Sequence, residues 1–226
     1  MKAIADKESR LSWVLAGLAG LVGAAAFVNT AGFFVTFMTG NTERAVVGFF
    51  VGQEAVAGAA LALIVTFVSG VVVASVCRRR LWSDHPHGAT VLTSFFLTTA
   101  SIVDIWISGF GGSRVEFVPI LFVAFAMGAL NTSFSKNGEV SIPLSYVTGT
   151  LVKLGQGLER HLAGGSASDW LGYALLYAAF ATGGLVGGII SLAITGPQIL
   201  MVASGFCVLA TFYTYRVSDD STPILG

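Results

Sequence analysis

Thr39-Gly40-Asn41-Thr42 closes a run that begins at Leu11 and contains no charged residue. As one straight helix those 32 residues (11–42) would reach roughly 48 Å, against about 30 Å of hydrocarbon in a bilayer. A single span cannot use them all. The chain must bend, re-enter or lie along the interface, and it does so most easily at Asn29-Thr30-Ala31-Gly32 and at Thr39-Gly40-Asn41-Thr42. A related string, Thr148-Gly149-Thr150, stands at the corresponding place in the second half. That recurrence is what decides the expected fold.

Composition sets the frame. Of 226 residues, 54% are hydrophobic and 11% charged. Soluble domains carry about 25% charged residues, so the chain is expected to live in a membrane. The formal net charge is zero and no basic tract is interleaved with aromatics, which argues against a nucleic-acid partner. Cys77 and Cys207 sit at or inside apolar stretches without ligand spacing, and read as small hydrophobes. Lys2, Lys7 and Arg10 before the first apolar run resemble the start of a signal peptide. The run outlasts the usual 7–15 residue apolar core of one, so a retained first helix is expected.

Six spans are expected. The first covers 11–28, with Gly17, Gly20 and Gly23 on a face of small residues suited to close helix contact. A partly apolar segment, 33–52, precedes the second span at 55–77, which stops at Arg78-Arg79-Arg80 and Trp82. The third runs over 89–108, and a glycine-rich turn leads to the fourth, 117–134. A long polar connection, 135–169, holds the second Thr-Gly. From Trp170 to Tyr215 there is no charge, room for two spans parted at Thr195-Gly196-Pro197. With both termini cytoplasmic, ten of the 12 Lys and Arg residues fall inside, and only Arg44 and Arg114 outside.

The halves, about 11–108 and 117–216 of a single polytopic domain (1–226), read alike. A glycine-bearing helix (Gly23; Gly128) meets a break with asparagine (Asn29; Asn131), then the Thr-Gly element, then two more spans. Three spans is an odd number, so the halves insert with opposite orientation, a plan that recurs in transporters with the site where the breaks meet. The expected fold is therefore an all-α membrane protein, a 3+3 inverted repeat with two interrupted or re-entrant Thr-Gly elements, N-in and C-in. Gly40 and Gly149 permit close approach, and Thr39, Asn41, Thr42, Thr148 and Thr150 can cap a helix start. An open helix N-terminus attracts anions. Equally, the elements could simply cap interfacial helices, and the amphipathic stretch 151–160 could lie on the membrane surface.

These strings carry a resemblance. Phe37-Met38-Thr39-Gly40-Asn41-Thr42, Gly128-Ala129-Leu130-Asn131 and Val147-Thr148-Gly149-Thr150-Leu151-Val152-Lys153-Leu154-Gly155 resemble the YoaK family, bacterial multi-pass membrane proteins of unknown function. The resemblance covers most of the chain and implies the architecture rather than an activity. Members commonly have an aspartate near the end of helix one, where this chain has Asn29, and a glutamine before the asparagine of helix four, where it has Leu130. Proton coupling through that aspartate would have no counterpart at Asn29.

Other residues were weighed in the same way. Asp104 is the only acidic residue inside an expected span; it either lines a pathway or reaches the interface. Asp84, His85 and His87 match no strong metal-ligand pattern. The Arg78-Arg79-Arg80 run reads as a topology anchor. Gly183, Gly184, Gly187 and Gly188 mark tight packing, within the chain or between copies as a homo-oligomer. No catalytic constellation is visible, so no enzyme, metal or cofactor is expected. The expectation is an inner-membrane transporter or channel for a small neutral or anionic solute. Its site would comprise Thr39, Gly40, Asn41, Thr42, Thr148, Gly149 and Thr150, with Asn29, Asn131 and Asp104 as polar neighbours. The alternative is a non-transporting membrane partner that packs through glycine-rich helix faces.

Overall fold

A computed structural model describes residues 7–30, 32–82, 86–136, 139–142 and 144–219. Lys2, Asp84 and His85 lie outside them. Eight α-helices follow in order: α1 (Lys7–Asn29), α2 (Met38–Phe50), α3 (Glu54–Cys77), α4 (Pro86–Ser108), α5 (Phe117–Leu130), α6 (Val147–Leu162), α7 (Ser168–Ala193) and α8 (Gly196–Asp219). A π-helical turn, Arg78–Trp82, extends α3, and a two-strand hairpin, β1 (Ser135–Lys136) with β2 (Glu139–Val140), lies between α5 and α6. Five helices among the described residues are long and apolar enough to cross a membrane: α1, α3 with its π turn, α4, α7 and α8. Their outward faces carry large apolar side chains such as Val65, Trp106, Leu185 and Phe212.

The expected fourth span is where sequence and structure part. Instead of 117–134, α5 has 14 residues and, at 1.5 Å each, spans about 21 Å, short of the hydrocarbon thickness. It ends because Asn131 turns its amide back onto the Met127 carbonyl (2.8 Å) and the following residues leave the helical path. Arg78 reaches that end and donates to the carbonyls of Thr132 and Ser133. The arginine run is thus not only a surface anchor: Arg78 is buried, while Arg79 and Arg80 are exposed. The break between the last two spans falls at Ile194 and Thr195, one residue ahead of the expected Thr195-Gly196-Pro197, because Gly196 and Pro197 already open α8.

The packing pairs off. α1 packs on α7 as α5 packs on α3, α2 lies on α3 as α6 lies on α7, and α4 crosses both α8 and α5. Both close crossings rest on glycine. A Cβ on Gly183 would overlap the Gly17 carbonyl and one on Gly20 that of Phe180; one on Gly70 would overlap Phe125, and one on Gly128 Phe67. With no side chain between them the backbones touch, which is how helices associate where lipid is as apolar as leucine. The expected glycine face of α1 and α7 is therefore used inside the chain. Antiparallel α4 and α8 are joined by hydroxyl pairs instead: Thr90 with Thr214 (3.0 Å), Ser94 with Thr211 (2.8 Å) and Thr98 with Ser204 (2.7 Å).

Candidate functional site

Two helix starts define the site. After α1 the chain turns at Gly32, whose φ of +75° suits a residue without a side chain, and doubles back so that Thr36 lies against Gly23. From there α2 begins with Phe37 as its N-cap residue (φ −112°, ψ 77°); α6 begins with Tyr146 in nearly the same conformation (φ −86°, ψ 64°). Neither start has a side-chain cap, so the capping role expected of Thr39, Asn41, Thr42, Thr148 and Thr150 is not what these residues do. The helices begin one residue before each threonine. Thr42 donates back to the Met38 carbonyl (3.0 Å) and Thr150 to that of Tyr146 (3.2 Å).

The glycines explain the local shape. The Phe37 ring lies over the place where a Cβ on Gly40 would stand, and the Tyr146 ring lies likewise over Gly149, 2.6 Å from its Cβ position. Each element is thus aromatic-x-Thr-Gly, with the aromatic folded onto the glycine one turn on. The aromatic three residues before each glycine was visible in the sequence and was the signal left unread.

The two starts meet. A cavity of about 910 Å³ is lined by Thr36, Phe37, Met38 and Thr39 from the first half, and by Asn131, Val140, Ser145, Tyr146, Val147, Thr148, Gly149 and Lys153 from the second. Phe67 and Val71 of α3 and Phe180 of α7 complete it. Asn131 shapes one wall, its Oδ1 accepting from the Ser145 amide (3.2 Å) and hydroxyl (3.0 Å) just before Tyr146. Of the expected site residues the cavity brings together Thr39, Asn131, Thr148 and Gly149. Gly40, Asn41, Thr42 and Thr150 belong to the same first turns but do not line it. Asn41 is fully buried and donates to the Phe34 carbonyl (2.7 Å).

Asn29 and Asp104 are elsewhere. The Asn29 amide donates to the Ala25 carbonyl (3.0 Å) and Ser191 Oγ (3.0 Å), and its own carbonyl accepts from the Val115 amide (2.9 Å). Asp104 is wholly buried rather than at an exposed interface, and its Oδ1 accepts from the amide of Glu116, the N-cap residue of α5 (2.9 Å). Both therefore secure the start of α5, while Asn131 stands at its other end. Sequence reasoning missed Phe67, Val71, Phe180 and Lys153, whose part depends on how α3, α6 and α7 come to border one cavity. No group of three or more His, Cys, Asp or Glu residues able to hold a metal is found among the described residues.

No solved structure matches the chain. The UPF0700 transmembrane protein RA0705 of Rhizobium meliloti (strain 1021) is 28% identical to it over 204 residues, 88% of this chain and 83% of that protein. Residues 11–213 match the family described as "Protein of unknown function (DUF1275)". That likeness and the five long apolar helices make the chain a multi-pass membrane protein. By its match from near one end to the other, it belongs to the DUF1275 family, which is the YoaK family named by its Thr-Gly strings.

Proposed function

We propose that the chain transports a small solute across the inner membrane, and that the cavity between the two Thr-Gly elements is its binding site. One observation carries this reading: Thr39 from one half and Thr148-Gly149 from the other line a single cavity. The reciprocal packing supports a 3+3 inverted repeat in which α1, α3 and α4 correspond to α5, α7 and α8. In that scheme α5 and the chain between it and α6 together make the sixth crossing, and the basic residues give N-in, C-in. Phe67 and Phe180 stand near the middle of α3 and α7, so the cavity falls near the bilayer centre, the usual depth of such sites. Non-helical backbone at that depth is tolerated where it lines a cavity. The reading assigns no enzymatic activity.

The alternative, a scaffold that docks partners through glycine faces, has less to work with, because Gly20, Gly183 and Gly187 are already in contact across α1 and α7. The test is thermal unfolding of purified protein against a metabolite panel, wild type beside a Thr39→Val, Thr148→Val variant, followed by flux into proteoliposomes. A solute at ~100 times its dissociation constant stabilises the fold by roughly 2.7 kcal/mol. Loss of that stabilisation in a variant that still folds supports the site. Folded protein that moves and binds nothing across the panel overturns it.

A further inference from the structure

We infer that the solute is an organic anion with a single charged group on an apolar body. This rests on the reading that the cavity is the solute site, and it is carried by the chemistry of the lining. Phe37, Phe67, Tyr146, Phe180 and Val71 supply a mostly apolar wall. Lys153 is the one Lys or Arg in the lining, which contains no Asp or Glu. Its ammonium lies 5.6 Å from the centre of the Tyr173 ring, and no carboxylate pairs with it among the described residues. A cation would therefore enter against Lys153 with nothing to neutralise it.

Polar neutral solutes fit poorly for a different reason. A sugar or polyol needs several free donors and acceptors, or its hydroxyls are left unpaired on leaving water. Here Asn131 gives one of its two N–H groups to Met127 and its oxygen to Ser145, and the Ser145 hydroxyl is spent on Asn131. The hydroxyls of Thr36, Thr39, Tyr146 and Thr148 remain, none bonded to another described residue. Those hydroxyls can serve part of a polar solute, but only an anion also answers the Lys153 ammonium. Small inorganic anions fit poorly too, because their hydration shell would be traded for aromatic carbon over most of the surface. The starts of α2 and α6, both facing this cavity, add positive potential of the same sign as Lys153.

The experiment is titration of the protein in phosphatidylcholine nanodiscs with carboxylates from butyrate to 3-phenylpropionate, their uncharged amides, and inorganic phosphate. Wild type is run beside Lys153→Gln and Lys153→Arg, with empty nanodiscs correcting for partition into lipid. Lys153 is exposed, so both variants should melt as wild type does without ligand. At least one carboxylate should bind wild type and Lys153→Arg about tenfold more tightly than its amide, and Lys153→Gln should lose that preference. Acid and amide binding equally, with Lys153→Gln unchanged, would overturn the anion and leave the cavity as the site of a neutral solute. Phosphate binding as tightly as any carboxylate would overturn the apolar body. If added phosphatidylglycerol abolishes the carboxylate response, the occupant is a lipid headgroup and the inference fails. If no probe binds and no panel solute is moved, the cavity reading falls with it.

Discussion

The two Thr-Gly elements share a backbone and differ in what surrounds it. In the first half Asn41 follows the glycine and is buried, holding the Phe34 carbonyl, while Arg44 stacks over Phe33 (5.7 Å) and Phe34 (5.3 Å). That side is packed shut by its own aromatic cluster, in which Phe34 also meets Phe27 (5.0 Å) and Phe37 (5.3 Å). In the second half Thr150 follows the glycine, no aromatic cluster among the described residues closes the approach, and the half-exposed Val140 of the β1–β2 hairpin forms part of the wall. Most of the lining comes from that half. The same motif thus makes a closed flank in one half and an open flank in the other. The inverted-repeat transporter proposed above would have that asymmetry in any one state, because its pathway would open to one side at a time.

Four experiments would break or sharpen the comparison. The largest effect is expected where the two halves use the same device. Gly183→Val at the α1–α7 crossing and Gly128→Val at the α5–α3 crossing each push a side chain into opposing backbone, which no rotamer relieves. Each should cost more than about 3 kcal/mol and abolish the monodisperse peak in fluorescence-detected size exclusion. If one is tolerated, the crossings are not equivalent.

Next come the asparagines that end α1 and α5. Asn131→Ala loses its bonds to Met127 and Ser145, and should cost about 2–3 kcal/mol in thermal unfolding. Asn29→Ala, which loses those to Ala25 and Ser191, should cost about 1–2 kcal/mol. Only the former should also weaken a bound solute. A smaller effect, about 1–2 kcal/mol, is expected for Gly40→Ala and Gly149→Ala, whose new methyl meets the ring of Phe37 or Tyr146. Pairing each with Phe37→Ala or Tyr146→Ala should recover part of the loss, and the recovery is read as a coupling energy in a double-mutant cycle. The smallest belongs to Arg44→Gln, about 0.5–1 kcal/mol from the lost ring contacts. That variant should raise proteolytic cleavage near residues 32–37 without altering cleavage near 139–146. Equal loosening of both would make the closed flank a matter of general stability.

Much of this was legible beforehand. Hydropathy located five of the six expected spans, since apolar runs of sufficient length leave few other choices. The Thr-Gly strings pointed to two related elements, which fall in the first turns of α2 and α6 rather than at helix breaks, and of these Thr39, Thr148 and Gly149 line one cavity. The length of α5 was legible only in part: Asn131, which ends it by turning its amide onto Met127, stood out as a break, but 117–134 stays apolar or weakly polar past Leu130, and the hold of Arg78 on the Thr132 and Ser133 carbonyls comes from another helix. Asp104 looked accessible from its distance to a helix end, but the chain at Val115 and Glu116 folds over it.

By itself the sequence determined that the chain is apolar enough for a bilayer, where its long helices run and where they break. Those are properties of consecutive residues: length, hydropathy and backbone preference. Tertiary structure decided which side chains share a space. Phe67, Phe180 and Lys153 line one cavity because three separate helices border it, and Asn29 and Asn131 stand at opposite poles because α1 and α5 are held by different neighbours. Such proximity is set by packing between distant segments, and no local property of the chain encodes it.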